Sequence, residues 1–299
     1  MPELPDVTIY CEAITRFYAG RVLGKIDLRS PFVVRTYQPD ISELEGQRLL
    51  DVTRLGKQIV WRFEGDLQMV MHLMIAGRLH RKNSGTRPGG KFDLAAFQFR
   101  AEPSSSAIDD TLMLTEQGTK KQASLHVVAS KAALVELDAG GLEVIESSFQ
   151  EFEDRLKLEN HTIKRTLTDP RLFSGIGNAY SDEILHAAQL SPVKWTSRLT
   201  DEEIGRLHNA AKRTLNAWTE RLRAECGDGF PERVTAFRDQ MAAHGKFGCP
   251  CPTCGMPIAR IRYASRETNY CPTCQTAGKL LADRSLSRLL KEDWGKEME

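Results

Sequence analysis

Apolar residues at the start of the chain recur at helical intervals: Val7, Tyr10, Cys11, Ile14, Phe17 and Tyr18. That spacing predicts an amphipathic helix almost at the N-terminus, with Asp6 as its cap and Gly20 as its stop. At about Arg21 the pattern changes. From there to Val128 the apolar residues come in short runs or in alternation, as in Gln58–Phe63, Leu67–Met71, Ala95–Phe99, Thr111–Leu114 and Leu125–Val127. Turn-forming groups separate them: Glu64-Gly65-Asp66, Pro88-Gly89-Gly90, Pro103 to Ser106, and Asp109-Asp110. Short strands with tight turns and no intervening helices predict an antiparallel sandwich or barrel. Gly140-Gly141 reads as a joint. Beyond Phe149 the periodicity is helical over about 149–158, 161–168, 178–188, 200–224 and 231–241, with Thr200 and the acids after it as a well-capped start. The fold class is therefore α+β, and the charged residues from Lys291 onward are expected to fray.

Length and composition narrow the class. A chain of 299 residues has room for two domains. No apolar run nears the roughly 20 residues that cross a bilayer, and the acidic N-terminus does not suit a secretory signal. A soluble, cytoplasmic protein with no membrane partner is expected. The net charge of +1 gives no global attraction to polyanions. Local charge is more informative: from His244 to Arg288 seven Lys/Arg stand against two acids, a basic module suited to phosphate.

Five of the seven cysteines lie between positions 249 and 274. Cys251-Pro-Thr-Cys254 and Cys271-Pro-Thr-Cys274 form two C-x2-C pairs separated by sixteen residues. Four thiolates in that pattern close tetrahedrally on one structural Zn²⁺ and leave no position for a reactive water. Cys249 could replace Cys251, but the spacing and Gly255 favour Cys251. Arg260, Ile261, Arg262, Tyr263 and Arg266 lie between the pairs, where a metal-stapled hairpin would present arginines to phosphate. Cys11 and Cys226 read as ordinary thiols. In Ser174-Gly175-Ile176-Gly177-Asn178 the glycines permit close backbone approach to a phosphate. The competing reading is a tight interhelical turn with Asn178 as N-cap.

The first residues, Met1-Pro2-Glu3-Leu4-Pro5-Asp6, carry a second possibility. Removal of Met1 would expose the secondary amine of Pro2, which can attack a sugar C1′ and form an iminium. An α-amino group titrates near about 8, so some of it is unprotonated at neutral pH. Glu3 can transfer protons beside it. The alternative is a proline-stiffened leader without chemistry.

Taken together these segments resemble the formamidopyrimidine-DNA glycosylase/endonuclease VIII family of base-excision repair enzymes. The likeness spans nearly the whole chain: Met1 to Val7, Arg54-Leu55-Gly56-Lys57 as a lysine-bearing strand, His72-Leu73-Met74-Ile75-Ala76-Gly77, Ser174 to Glu183, and the cysteine module with Ser265-Arg266-Glu267-Thr268. The resemblance implies an N-terminal β-sandwich domain over 1–145 that carries the catalytic residues. It further implies a helix–two-turn–helix domain over 146–240, and a zinc finger with tail over 241–299. It implies a glycosylase with abasic-site lyase activity that excises formamidopyrimidines and 8-oxoguanine from damaged DNA. Such a protein would be a monomer with no small-molecule cofactor. Pro2 would be the nucleophile, Glu3 the proton carrier, Lys57 the β-elimination residue and Arg266 the δ-elimination residue. His72 and Asn178 would join Lys57 and Arg266 on the DNA backbone, and Ile75 would fill the space left by an extruded nucleotide. Read without the family, Lys57 is a surface lysine and His72 a core histidine.

Two stretches depart from the family. Leu114 to Ala123 has no counterpart of the Pro-Arg-Arg-Phe-Gly loop, so Lys120 or Lys121 would reach phosphate only, and His244-Gly245-Lys246 replaces Tyr-Gly-Arg. An oxidised-pyrimidine enzyme of the endonuclease VIII type, a non-catalytic zinc-dependent binder of damaged DNA, and a zinc-ribbon RNA-associated protein remain as alternatives.

Overall fold

The computed structural model describes residues 1–100, 107–118, 120–263 and 266–281. The turn expected at Pro103–Ser106, Ser265, the fraying tail, Arg284 and Arg288 lie outside the described residues. The chain divides into two units, Met1–Gly141 with Ala217–Thr235, and Leu142–Asn216 with Ala236–Glu299. No helix among the described residues is long and apolar enough to cross a membrane.

In the first unit, helix α1 runs Leu4–Tyr18. Its cap is Glu3, in extended backbone, and not Asp6 as the sequence suggested. Asp6 is the third helical residue, and its Oδ2 accepts the Glu3 N–H at 3.1 Å. The earlier start is possible because proline in the first turn gives up an N–H that has no helical acceptor there. Gly20, at φ +82°, lies just beyond the end.

Eight strands follow: β1 Leu23–Leu28, β2 Leu49–Leu55, β3 Gln58–Phe63, β4 Gln68–His72, β5 Gly77–Asn83, β6 Asp93–Arg100, β7 Ile108–Glu116 and β8 Ser124–Val128. They form two antiparallel four-stranded sheets, ordered β1-β6-β7-β5 and β2-β3-β4-β8. Trp61, Phe63, Phe97, Phe99, Leu112, Leu114, Met69 and Met71 from both sheets share one core with Tyr10, Ile14 and Tyr18 of α1. This is a sandwich, not a barrel. On the other face of the second sheet, Val60, Val70 and Val128 are covered by the short helix α2, Lys131–Val135, and the turn after it. The sequence reading missed β1, β2 and β5. Each buries only one or two of its residues and so carries a thin apolar pattern, whereas β8, also an edge strand, buries three of five.

The second unit holds α3 Phe149–Lys157, α4 Ile163–Thr168, α5 Asn178–Ala187 and the first part of α6, Asp201–Cys226. It also holds the hairpin β9 Ala259–Tyr263 with β10 Arg266–Tyr270, and α7 Pro272–Thr276. Ser148 and Glu151 close a capping box at the start of α3. Phe152 packs on Phe173 and stacks on His208.

The helix expected over 231–241 does not form. Phe230 and Val234 are drawn into the core of the first unit, and the Val234 carbonyl accepts from Arg78 Nε at 2.5 Å, whereas Met241 is buried in the second unit. A segment whose apolar residues serve two cores cannot keep one helical face.

Candidate active site and metal centre

The N-terminus is enclosed in the first unit. Pro2 is buried, and Glu3 is 3% exposed. Burial pushes the Met1 amine below its ordinary value; Glu3 and Asp6 oppose the shift, while Arg78 and Lys57 reinforce it. The fold thus gathers two carboxylates and two cations around the amine, all on α1, the β2–β3 turn and the start of β5. Lys57 is not on a strand, as the sequence suggested. It follows Gly56, whose φ of +60° makes the tight turn between β2 and β3, and from this turn its charge acts on both the Met1 amine and His72.

His72 ends β4. Its Nδ1 accepts the Met74 N–H at 2.9 Å, and burial, Lys57 and His126 lower its pKa to about 4. The ring is therefore neutral at physiological pH, and its proton sits on Nε2. The 73–76 turn that follows is held by Gly77 N–H to Leu73 O at 2.8 Å, with Met74 at φ +52°. Ile75 projects from it, 65% exposed. Lone exposed apolar residues are common, but this one stands on a constrained turn next to His72.

The loop after β7 is anchored by buried Glu116, whose carboxylate accepts from the Gln122 and Ala123 N–H groups. Lys121 Nζ folds back onto the Glu116 carbonyl and lies 5.0 Å over the Phe92 ring. Lys120 is exposed.

In the second unit Asn178 is the first residue of α5, and Gly177 is the cap, so the N-cap alternative for Asn178 does not hold. Its Nδ2 donates to Glu267 O at 2.9 Å, which ties the helix start to strand β10. Arg266 opens β10, opposite Tyr263; its side chain lies outside the described residues. Beside it the Glu267 carboxylate takes Arg262 Nε at 2.9 Å, and Arg260 stacks 3.9 Å over Phe247.

The four sulfurs of Cys251, Cys254, Cys271 and Cys274 lie within 4.8 Å of one another. Cys254 and Cys271 stand 3.4 Å apart and Cys251 and Cys274 4.0 Å, too far for disulfides. A tetrahedral metal with bonds of about 2.3 Å needs sulfur separations of about 3.8 Å, so the donors fit. Cys249 is exposed and outside the cluster.

Sequence reasoning missed the groups that brace this module. His186 Nε2 lies 3.1 Å from Cys251 Sγ, where its N–H can donate to a thiolate that holds the metal. Buried Asp182 accepts from Lys164 and pairs with His244 Nδ1 at 2.8 Å, and buried Glu183 accepts the N–H groups of Ala242, Ala243 and His244. Adjacent acids in an apolar stretch, Asp182-Glu183, were the available signal.

Comparison with known proteins adds to this geometry. Residues 1–115 match the formamidopyrimidine-DNA glycosylase N-terminal domain, 141–224 its H2TH domain, and 248–277 the zinc finger found in FPG and IleRS. The chain belongs to the formamidopyrimidine-DNA glycosylase family. It is 31% identical to the formamidopyrimidine-DNA glycosylase of Heliobacterium modesticaldum, over 92% of this chain and 100% of the relative. It is 30% identical to that of Thermus thermophilus, over 93% and 100%. Among solved structures it is similar in fold to a Lactococcus lactis FPG mutant in complex with a Fapy-dG containing DNA, with TM-score 0.79, 25% identity, 92% of this chain and 100% of the other. MutM in complex with carbocyclic 8-oxo-G containing DNA gives TM-score 0.78 at 24% identity, over the same shares. The four thiols and the matched finger together form a structural metal site, since four protein donors leave no open position.

Proposed function

We propose that this chain is a base-excision repair DNA glycosylase that also cleaves the strand at the resulting abasic site. The observation that carries the reading is the enclosed N-terminus, where Pro2 and Glu3 are both buried and the charges of Glu3, Arg78, Asp6 and Lys57 all act on the chain end at Met1. With Met1 removed, the Pro2 amine attacks C1′ of an extruded nucleotide, the C1′–N bond breaks, and the base leaves with the bonding electrons and takes up a proton. Glu3 protonates the ring oxygen as the sugar opens to an iminium on Pro2. Loss of a C2′ proton then expels the 3′ phosphate, with Lys57 serving this step, and Arg266 serves the second elimination. Neutral His72 offers Nε2–H to the DNA backbone, and Asn178, Lys120 and Lys121 take further phosphates. Zinc is the metal that suits four thiolates, and it holds the β9–β10 hairpin without entering the chemistry. In this reading residues 1–145 form the catalytic domain, and 146–240 and 241–299 hold damaged DNA. The protein acts as a monomer without a small-molecule cofactor.

The lesions proposed are formamidopyrimidines and 8-oxoguanine, as for the DNA held by the two solved relatives. The loop at 117–123 supplies lysine and no arginine or aromatic wedge, which favours weak discrimination of the opposite base.

Borohydride trapping tests the reaction. Protein whose intact mass places Pro2 at the N-terminus should form a covalent adduct with duplexes carrying 8-oxoguanine, a formamidopyrimidine or an abasic site, and Pro2→Gly should lose most of it. No adduct from correctly processed protein would overturn the reading. Release confined to oxidised pyrimidines would move it to the endonuclease VIII type.

A further inference from the structure

Arg78 is the second residue of β5 and has no place in the expected chemistry, yet its guanidinium makes three separate attachments in the first unit. Nε donates to Val234 O at 2.5 Å, and Nη1 donates to Ile75 O at 3.2 Å and Gly77 O at 2.6 Å. Two of these carbonyls belong to the turn that presents Ile75. The third belongs to the 228–235 segment, which is itself fixed to the sandwich. Phe230 packs against Tyr10 and Phe17, and the Glu232 carboxylate takes His80 Nδ1 at 2.8 Å and the Arg81 N–H at 3.3 Å.

The segment and α1 together cover the outer edge of β5. The Leu79 N–H there is taken by Tyr10 OH at 3.3 Å, and that of Arg81 by Glu232. Arg78 is thus the clamp by which the Ile75 turn is held to a rigid support, and it is also one of the charges acting on the terminal amine. Lysine cannot reproduce this, because three carbonyls in different directions need the planar fork of a guanidinium.

We infer that Arg78 is a positioning residue that sets the Ile75 turn so that the side chain enters the stack when a nucleotide leaves the duplex. The inference rests on the glycosylase reading above. It separates two substrates. In duplex DNA extrusion opens a gap that an apolar side chain must fill. In a single strand carrying an abasic site there is no paired stack to wedge, and only the amine chemistry remains.

Single-turnover trapping on both substrates is the test, with Arg78→Lys, Arg78→Ala, Ile75→Ala and the Arg78→Ala/Ile75→Ala double variant. Misplacement of a reacting geometry by about 1 Å can cost on the order of 100-fold, so Arg78→Ala should trap duplex lesions about 10- to 100-fold more slowly. Arg78→Lys, which keeps a cation near the chain end, should change trapping of single-stranded abasic DNA by less than about threefold, and it is the variant on which the two substrates are compared. It should show the same loss on duplex lesions, and the double variant should be no worse than either single variant, because both act on one turn.

Equal loss on the two substrates, or a double variant whose losses multiply, would overturn the positioning role and leave the glycosylase reading intact. Unchanged duplex trapping in Arg78→Lys would overturn the need for the fork. Wild-type protein that traps neither substrate would instead overturn the glycosylase reading, and this inference with it.

Discussion

His72 shows how a single residue carries both a structural and a functional burden. Its Nδ1 is committed to the Met74 N–H, and its pKa of about 4 follows from burial first and then from Lys57 and His126. The folded value lies below the unfolded value of about 6.5. The folded state therefore binds fewer protons, and stability falls as pH drops from about 6.5 toward 4. At pH 5 this one group should cost up to about 2 kcal/mol relative to neutral pH. Asn at this position can accept from Met74 without titrating. We expect His72→Asn to lose correspondingly less stability than the wild type between pH 7.5 and 5.0 in urea unfolding. An equal loss in both proteins would place the acid sensitivity elsewhere, with His126 the next group to examine. The sequence could mark His72 only through its family resemblance, because nothing in a linear pattern states that Lys57 and His126 come to lie near it. The four cysteines were legible from spacing alone, whereas Pro2 and Glu3 stood level with a stiff leader until the family resemblance was added. Arg78 and His186 were not, since their meaning lies in the Val234 carbonyl and the Cys251 sulfur, brought to them from 156 and 65 residues away.

At the scale of elements, periodicity was informative where one face is buried and silent where it is not. β3, β4, β6, β7 and β8 announced themselves by their apolar runs, while β1, β2 and β5, with one or two buried residues each, did not. The 231–241 segment failed in the opposite sense, because a helical spacing of Val234, Phe237 and Met241 was produced by residues serving different surroundings. One turn depends on glycine outright, although the sequence marked it only through the family resemblance. At Gly77 a Cβ would lie 2.2 Å from the Leu73 carbonyl oxygen, which is backbone and cannot swing aside. The turn that presents Ile75 therefore depends on a residue with no side chain. Gly77→Ala should destabilise the protein by about 1–3 kcal/mol, the usual cost of forcing atoms into filled space. Urea midpoints of the two proteins measure this. An unchanged midpoint would mean that the 73–77 turn opens without penalty, and the argument for a rigid presentation of Ile75 would fail with it.

For the molecule as a whole, a net charge of +1 hides an uneven distribution, and this decides how binding should depend on salt. Lysines and arginines that neutralise phosphates release counterions, and the logarithm of affinity falls with the logarithm of salt by about 0.9 for each contact. Around the four-thiol cluster, Arg262 is exposed and Arg260 partly so, and both are placed by the β9–β10 pairing that the cysteines staple. The start of α5 is tied to the same hairpin through Asn178 and Glu267. Removing the metal should therefore loosen more than the finger. Without it the hairpin has only a small core, of Ile258 and the cysteines themselves, too little to hold its arginines in register. Chelation, or Cys271→Ser, should abolish bound metal by elemental analysis. It should also weaken binding to a short abasic duplex at least about tenfold at low salt, and flatten the salt slope by about two contacts. Restoring Zn²⁺ to the chelated wild type should recover both. A slope unchanged on metal loss would show that the phosphates are held from elsewhere in the chain, and that the basic stretch from His244 onward plays no part in recognising DNA.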